Sequence, residues 1–362
     1  MADMTARYFN PVQVIAGPGA LDRLGALVPA ASRVLVVTTA GASKRGLTAQ
    51  TQAALTHCQV SVHDAVTPNP ELADMERLAA QHKLAMPTHI VGLGGGSALD
   101  AAKILSAALL DARLLGDVLR GGGAWNAALP VIAIPTTAGT GSEVTPFATV
   151  WDHQDNRKYS VAGDAVYPQT ALLDPRLLLS LPADQTLFTG LDTISHALES
   201  LWNRNRSPIS AAHAMQALAL AVDALPASLA RPGDVDARGA MQYASCLAGL
   251  AICQTRTAIA HSISYPVTLH FGVPHGLACS FTLTRLLELN LDTLSAMPHE
   301  RLLLGRVLEL LQSLSLAEKI RAFAPPDAIL ALEAEMHTKG RAENFTGSMG
   351  HGIADLISRS LD

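Results

Sequence analysis

Short apolar runs rich in β-branched residues alternate with helical patterns over the first half of the chain. Residues 33–38 (RVLVVT), 59–64, 89–93 and 131–134 have strand length, lack charge in their middles and read as buried strands. Between them, residues 44–57, 72–83 and 97–110 repeat their apolar positions with helical spacing. Such alternation predicts βαβ units, and therefore a parallel sheet with helices on its faces. Residues 147–151, 158–161 and 170–173, separated by polar turns, add further strands. From about Leu181 the texture changes. Strand patterns stop, and Ala/Leu-rich helical stretches run over 186–202, 209–224, 235–253, 280–289, 300–314 and 327–336. Pro182, Pro208, Pro232 and Pro274 fall between these stretches, where helices begin and end. The expected organisation is an α/β domain over 1–180 with a parallel sheet, followed by an all-α domain over 181–362, the boundary lying near 175–182.

Composition narrows the partners. The chain has 362 residues, 49% hydrophobic but only 4% aromatic, so Ala, Leu, Val and Ile must do the packing. Its 26 basic residues against 31 acidic ones leave a formal charge of −5, with no Lys/Arg run. That balance argues against nucleic acid or an anionic membrane as partner. No apolar stretch approaches the ~18 residues of a membrane span. The opening residues, Met1 to Tyr8, lack a basic region followed by an apolar one, so no export signal is expected. Four cysteines (Cys58, Cys246, Cys253, Cys279) without a CxxC pair fit reduced core thiols, and with them a cytoplasmic location.

Two turns carry ligand-binding chemistry. Gly94-Gly95-Gly96-Ser97 joins a strand to a helix, and three glycines let the backbone turn sharply and approach a ligand. Ser97 is expected to cap that helix, with Asp100 completing a capping box at its start. A helix start of this kind favours an anion such as a pyrophosphate. The second turn, Pro135-Thr136-Thr137-Ala138-Gly139-Thr140-Gly141-Ser142-Glu143, follows the 131–134 strand and concentrates small hydroxyl and glycine residues. Both lie at the C-terminal ends of strands, where sheets of this type bind ligands. Together they point to a dinucleotide rather than to ordinary linkers.

A third group of residues suits a metal. Asp192 and His196 are four apart in an expected helix, so they share one face with Cβ atoms ~6 Å apart. His261 and His275, fourteen residues apart, add two imidazoles, the second at an expected helix start. One carboxylate and three imidazoles form a donor set for Fe(II), Zn(II) or a similar divalent ion. Each residue alone is more simply explained as a hydrogen-bonded core group. The ten other histidines are read that way.

With these pieces in hand, the sequence resembles the iron-containing (group III) alcohol dehydrogenase family. The segments that carry the resemblance are GGGSALDAAK (94–103), PTTAGTGSEVT (135–145), the Asp192/His196 pair, and His261 and His275 within HSISYP and FGVPHG. They occur in the family's order and span most of the chain. The resemblance implies a metal-dependent NAD(P)H oxidoreductase, with Asp192, His196, His261 and His275 as metal ligands. It implies cofactor contacts from Thr39, Asn69, Gly95, Gly96, Ser97, Asp100, Thr136, Thr137, Thr140, Thr145, Thr149 and Lys158. The stretches 145–160 and 260–266 look most like the phosphonoacetaldehyde reductase (hydroxyethylphosphonate dehydrogenase) branch. The expected reaction is reduction of an aldehyde to a primary alcohol, phosphonoacetaldehyde to 2-hydroxyethylphosphonate. Family habit further suggests a homodimer or larger assembly.

Two departures from the family pattern matter. Many members carry a histidine four residues after the third ligand; here that position is Tyr265, whose phenol, with an unperturbed pKa of about 10, would be a different proton carrier. The stretch after the first strand often carries an aspartate that grips the adenosine ribose. Here it is Thr39, followed by Ser43 and Lys44, which removes a repulsion toward a 2′-phosphate and predicts NADPH use or dual NADPH/NADH specificity. A phosphonate would need cations near the metal, yet no lysine lies between Lys158 and Lys319. Arg256, then Arg157 or Arg341, are the substrate candidates. Competing expectations are a general short-chain alcohol dehydrogenase, a maleylacetate reductase, a dehydroquinate-synthase-like lyase, or a non-catalytic metal-binding protein.

Overall fold

The apolar runs of the first half pair into one parallel sheet. This computed structural model describes residues 7–111, 113, 115–121, 125–152, 154–155, 157–294, 297–338 and 340–362. The chain start discussed above (residues 1–6) and His153 lie outside the described residues. In order come β1 (Gln13–Ala16), α1 (Leu24–Leu27), β2 (Arg33–Val37), α2 (Ala40–Lys44), α3 (Leu47–Ala53), β3 (Gln59–His63) and α4 (Leu72–His82). Then follow β4 (His89–Gly94), α5 (Gly96–Ala108), α6 (Leu115–Arg120) and β5 (Val131–Pro135). An antiparallel hairpin of β6 (Phe147–Asp152) and β7 (Arg157–Ala162) precedes β8 (Thr170–Leu173). The main sheet has the order β1-β8-β5-β4-β2-β3, with every pairing parallel.

The central strands are unbroken apolar runs because both faces are covered. Val34, Val36, Val91, Leu93, Ile132 and Ile134 face the core shared with the C-terminal helices. Leu35, Val37, Ile90 and Val131 face the opposite way, onto α4 and α5. The edges behave differently. β3 was expected to be buried, but it pairs only with β2 and is largely exposed. β1 was not anticipated, since a four-residue, mostly exposed edge strand has no apolar run to betray it. The helix expected over 44–57 breaks at Gly46, whose φ of 77° ends α2 and starts α3.

Beyond Leu173 no strand occurs among the described residues. The helices are α7 (Ala183–Leu201), α8 (Pro208–Ala230), α9 (Val235–Thr255), α10 (Ile259–Phe271) and α11 (His275–Ala278). They continue with α12 (Leu283–Leu294), α13 (Pro298–Ser313), α14 (Leu316–Arg321), α15 (Pro326–Leu330) and α16 (Ile353–Leu361). Pro208 opens α8, while Pro182 and Pro274 precede α7 and α11 directly. One expectation fails here: by length and composition α8 could cross a membrane. In the fold its Ala214, Ala217, Leu218, Ala221 and Leu225 are buried, and it packs against α7, α9 and α13. α10 escaped the periodicity reading because Pro266 and the hydroxyl residues Ser262, Ser264, Tyr265 and Thr268 interrupt it. The expected 327–336 helix stops at Leu330 and gives way to a 3-10 turn. The cysteines are all free, but only Cys246 and Cys279 are fully buried.

Candidate functional site

Asp192 is the centre of the site. It sits mid-way along α7, with His196 one turn later on the same face. Its Oδ1 lies 3.5 Å from His196 Nε2, 3.5 Å from His261 Nε2 and 3.9 Å from His275 Nε2. The structure thus brings together the four residues that the spacing singled out. His261 comes from the first turn of α10 and His275 opens α11. The His196 and His261 rings stack at 4.7 Å. His275 is the open side of the cluster, its side chain 39% exposed.

Two of the three rings are aimed by a hydrogen-bond partner. The His196 Nδ1 faces the Gly139 carbonyl oxygen at 3.2 Å; a carbonyl only accepts, so Nδ1 carries the proton and Nε2 presents a lone pair to the cluster. Glu199, one turn beyond His196 and fully buried, accepts from His261 Nδ1 at 2.6 Å. The same carboxylate accepts from the backbone N–H groups of Ala258, Ala260 and His261. Those are the free donors at the start of α10, whose own N-cap residue, Ala258, offers no side-chain cap. Glu199 therefore caps one helix and orients a ring with a single group. Cys279 approaches Asp192 Oδ1 through its thiol at 3.5 Å.

The electrostatics fit a cation. Burial alone would raise the Asp192 carboxyl, yet the imidazoles around it hold it well below the usual carboxylate range. Burial would lower His261, but Glu199 and Asp192 outweigh it and push it up to about 9. Although part of its side chain is open, desolvation by the neighbours packed around it, with the positive charges of His261, Lys158 and His196 adding to it, brings His275 down to about 3. His261 Nε2 is a buried ring nitrogen with no hydrogen-bond partner. A buried, unpartnered nitrogen beside a carboxylate is what a divalent ion would satisfy, in place of a proton. Replacing Glu199 with Gln should weaken metal retention about tenfold to hundredfold, read by competition with a chelator.

The two glycine- and threonine-rich turns also meet. A Cβ on Gly96 would lie 2.6 Å from Thr140 Cγ2, and one on Gly95 3.2 Å from Thr137 Oγ1. A Cβ on Gly141, at φ 60°, would lie 2.5 Å from Gly249 Cα in α9. Larger residues would push the turns apart. The anticipated capping box is absent: α5 starts from Gly95 with no side-chain cap. Asp100 lies a full turn inside the helix and cannot reach back. Its two oxygens instead accept from Ser142 Oγ at 2.6 Å and Thr149 N at 2.9 Å. The start of α5 is thereby left without a side-chain cap, and a helix start of that kind suits an anion. Ser97 Oγ accepts from the backbone N–H of Asn69, which holds φ 59°.

The fully buried Lys103 donates to the carbonyls of Ser142 at 2.8 Å, Thr145 at 3.2 Å and Phe147, clamping the second turn to α5. Thr193 Oγ1 donates to Ala138 O at 3.1 Å, tying the same turn to α7. Thr136 and Thr145 are buried, while Thr137, Thr140 and Thr149 are half-buried. Thr39 caps α2 through Ala42 N.

Tyr265 stacks on His275 with ring centres 6.3 Å apart. Burial pushes its phenol up, so it keeps its proton. Arg256, the first substrate candidate, is exposed, with its guanidinium 5.5 Å over the Phe147 ring. Sequence reasoning gave no role to Glu199 or Lys103 and read Cys279 only as a reduced core thiol. Cys279 had a usable signal, four residues after His275.

A profile described as iron-containing alcohol dehydrogenase matches residues 11–175, and one described as the C-terminal part of that family matches residues 186–345. Over 231 residues the chain is 35% identical to a 1-propanol dehydrogenase of Citrobacter freundii, covering 64% of this chain and 59% of that protein. It is 40% identical over 240 residues to a phosphonoacetaldehyde reductase of Streptomyces viridochromogenes, covering 64% and 60%. The matched part thus spans about three-fifths of each relative. The fold superposes on the crystal structure of a sulfoacetaldehyde reductase from Bifidobacterium kashiwanohense in complex with NAD+ with a TM-score of 0.86, at 26% identity, over 99% of this chain and 98% of that one.

Proposed function

Because the chain belongs to the iron-containing alcohol dehydrogenase family, we propose that it reduces an aldehyde to a primary alcohol at the expense of NADPH or NADH. The substrate proposed is phosphonoacetaldehyde, giving 2-hydroxyethylphosphonate. The observation that carries this reading is the convergence of His196, His261 and His275 on Asp192 Oδ1. These four side chains would hold the divalent ion, Fe(II) or alternatively Zn(II). The reaction consumes one reduced dinucleotide and one proton per aldehyde and yields the alcohol and oxidised dinucleotide. The ion supplies Lewis acidity toward the carbonyl and the dinucleotide supplies the hydride.

What the chain contributes is placement. The Gly95–Gly96 turn and the open start of α5 receive the dinucleotide phosphates, and the second turn, fixed by Lys103 and Asp100, walls the site. Residues 1–180 thus act as the dinucleotide-binding part and 181–362 as the metal-binding part. Tyr265, beside His275 and protonated, is placed to deliver the proton to the product oxygen. The 40% identity to a phosphonoacetaldehyde reductase supports the choice of substrate.

The test is a reductive assay with phosphonoacetaldehyde, propanal and maleylacetate, before and after metal stripping. Net dinucleotide oxidation that prefers phosphonoacetaldehyde and stops on stripping is expected. Turnover that survives stripping would overturn the mechanism, and a preference for propanal would replace the substrate with a short aliphatic aldehyde. In the same assay NADPH should be used at least as well as NADH. Thr39 stands where a carboxylate would repel a 2′-phosphate, and Arg45 nearby keeps a buried Nε without a partner. A tenfold preference for NADH, about 1.4 kcal/mol, would exclude that.

A further inference from the structure

Beside the metal-ligand cluster lies a cavity of about 230 Å³ whose walls include Trp151, Lys158, Ser160, Tyr265 and Arg341. Tyr265 is the partition between the two, because its ring stacks on His275. Two cations close on that ring from the cavity. Lys158 Nζ is 3.7 Å from the ring centre and Arg341 Cζ 4.6 Å. Arg341 also donates to Ser160 Oγ at 3.4 Å. Among the described residues neither cation has a carboxylate at ion-pair distance. The acidic residue lining the cavity, Glu335, is engaged by His270 Nε2 at 3.0 Å.

Two like charges gathered in a half-buried pocket without a counter-charge repel each other, and the arrangement is costly unless an anion sits with them. The strain shows on the lysine: burial, with Arg341 beside it, brings Lys158 down to about 7. Tyr265 and Trp151 give the cations aromatic surface, yet an aromatic face carries no net charge with which to neutralise them.

We infer that Arg341 forms the subsite for a dianionic acid group on the substrate and sets its specificity, with Lys158 shared between this cavity and the dinucleotide contact that the family resemblance implies for it. The inference rests on the aldehyde-reductase reading and names the substrate class for it: a two-carbon aldehyde ending in a phosphonate. In such a molecule phosphorus is two bonds from the carbonyl carbon, so an aldehyde facing the Asp192 cluster sends its acid group toward the next-door cavity. A planar guanidinium grips two oxygens of a tetrahedral oxyanion at once, and the ammonium adds a point charge. Arg256, exposed over Phe147, is not among the cavity's lining residues.

Ethylphosphonate, which has the acid group but no carbonyl, reads the pocket without turnover. Calorimetric titration of the cofactor-loaded full-length protein should show ethylphosphonate binding, weakened about tenfold to hundredfold in Arg341→Gln and only partly in Arg341→Lys. Thermal unfolding of both variants at the wild-type temperature separates this from a folding defect. Equal affinity in wild type and Arg341→Gln would overturn the assignment. Ethanesulfonate binding as tightly as ethylphosphonate would overturn the dianion. In turnover, Arg341→Gln should lower the ratio of kcat/KM for phosphonoacetaldehyde over propanal by a similar factor, mostly through KM. An unchanged ratio in an active variant sinks the subsite alone, whereas absence of any aldehyde reduction in the wild type sinks the underlying function instead.

Discussion

His261→Ala is expected to lower kcat/KM at least roughly thousandfold, about 4 kcal/mol of lost transition-state stabilisation. Bound metal should fall well below one equivalent in the same preparation. Two features make this ring the most exacting of the three. Its Nε2 faces Asp192 Oδ1 at 3.5 Å with no other partner, and its Nδ1 is held by Glu199. Truncation removes a donor from the cluster and strips the buried Glu199 of its ring contact, though the carboxylate keeps the N–H groups of Ala258 and Ala260. Because those backbone bonds survive, helix α10 should still start where it does. Elemental analysis, kinetics and thermal unfolding on one sample check the claim. Full turnover with near-stoichiometric metal would show that His261 is no ligand.

The second large effect concerns a residue with no side chain. Gly276→Ala should destabilise the protein by roughly 3 kcal/mol or more, because the added methyl would overlap the Phe188 carbonyl group of α7. That neighbour is backbone, so it cannot swing aside as a side-chain end could. Gly276 adjoins His275, and any retreat of α11 from α7 carries that imidazole away from Asp192. Loss of stability and loss of metal should therefore appear together. Thermal or denaturant unfolding against the wild type, with metal content measured alongside, is the check. A variant as stable as the parent would mean that α11 can shift without consequence.

How much of this was legible in the sequence depended on where the information was stored. β2, β4 and β5 declared themselves because strands covered on both faces must be apolar throughout. β1 and β3 lie at the sheet edges, where exposure dilutes the pattern to the point of misreading or silence. The four cluster residues were visible as a set, since helical spacing pairs Asp192 with His196 and two further imidazoles follow. What aims them was not. Glu199 was in plain view in the same helix, but its role depends on α10 beginning against it, and α10 itself was hidden by Pro266. Asp100 was misassigned for a related reason: a capping spacing in one dimension became a cross-link to the second turn in three. Arg341 was ranked below Arg256, because closeness in sequence to His261 was the only guide, whereas the fold sets it against Tyr265.

The sheet face built from Val34, Val36, Val91, Leu93, Ile132 and Ile134 belongs to the same apolar mass as helices α7 to α16. The N-terminal α/β part and the C-terminal helical part are consequently not detachable modules. A fragment ending near residue 180 would turn that greasy wall toward water and invite self-association. Exchanging one half for another would require rebuilding the apolar seam between them.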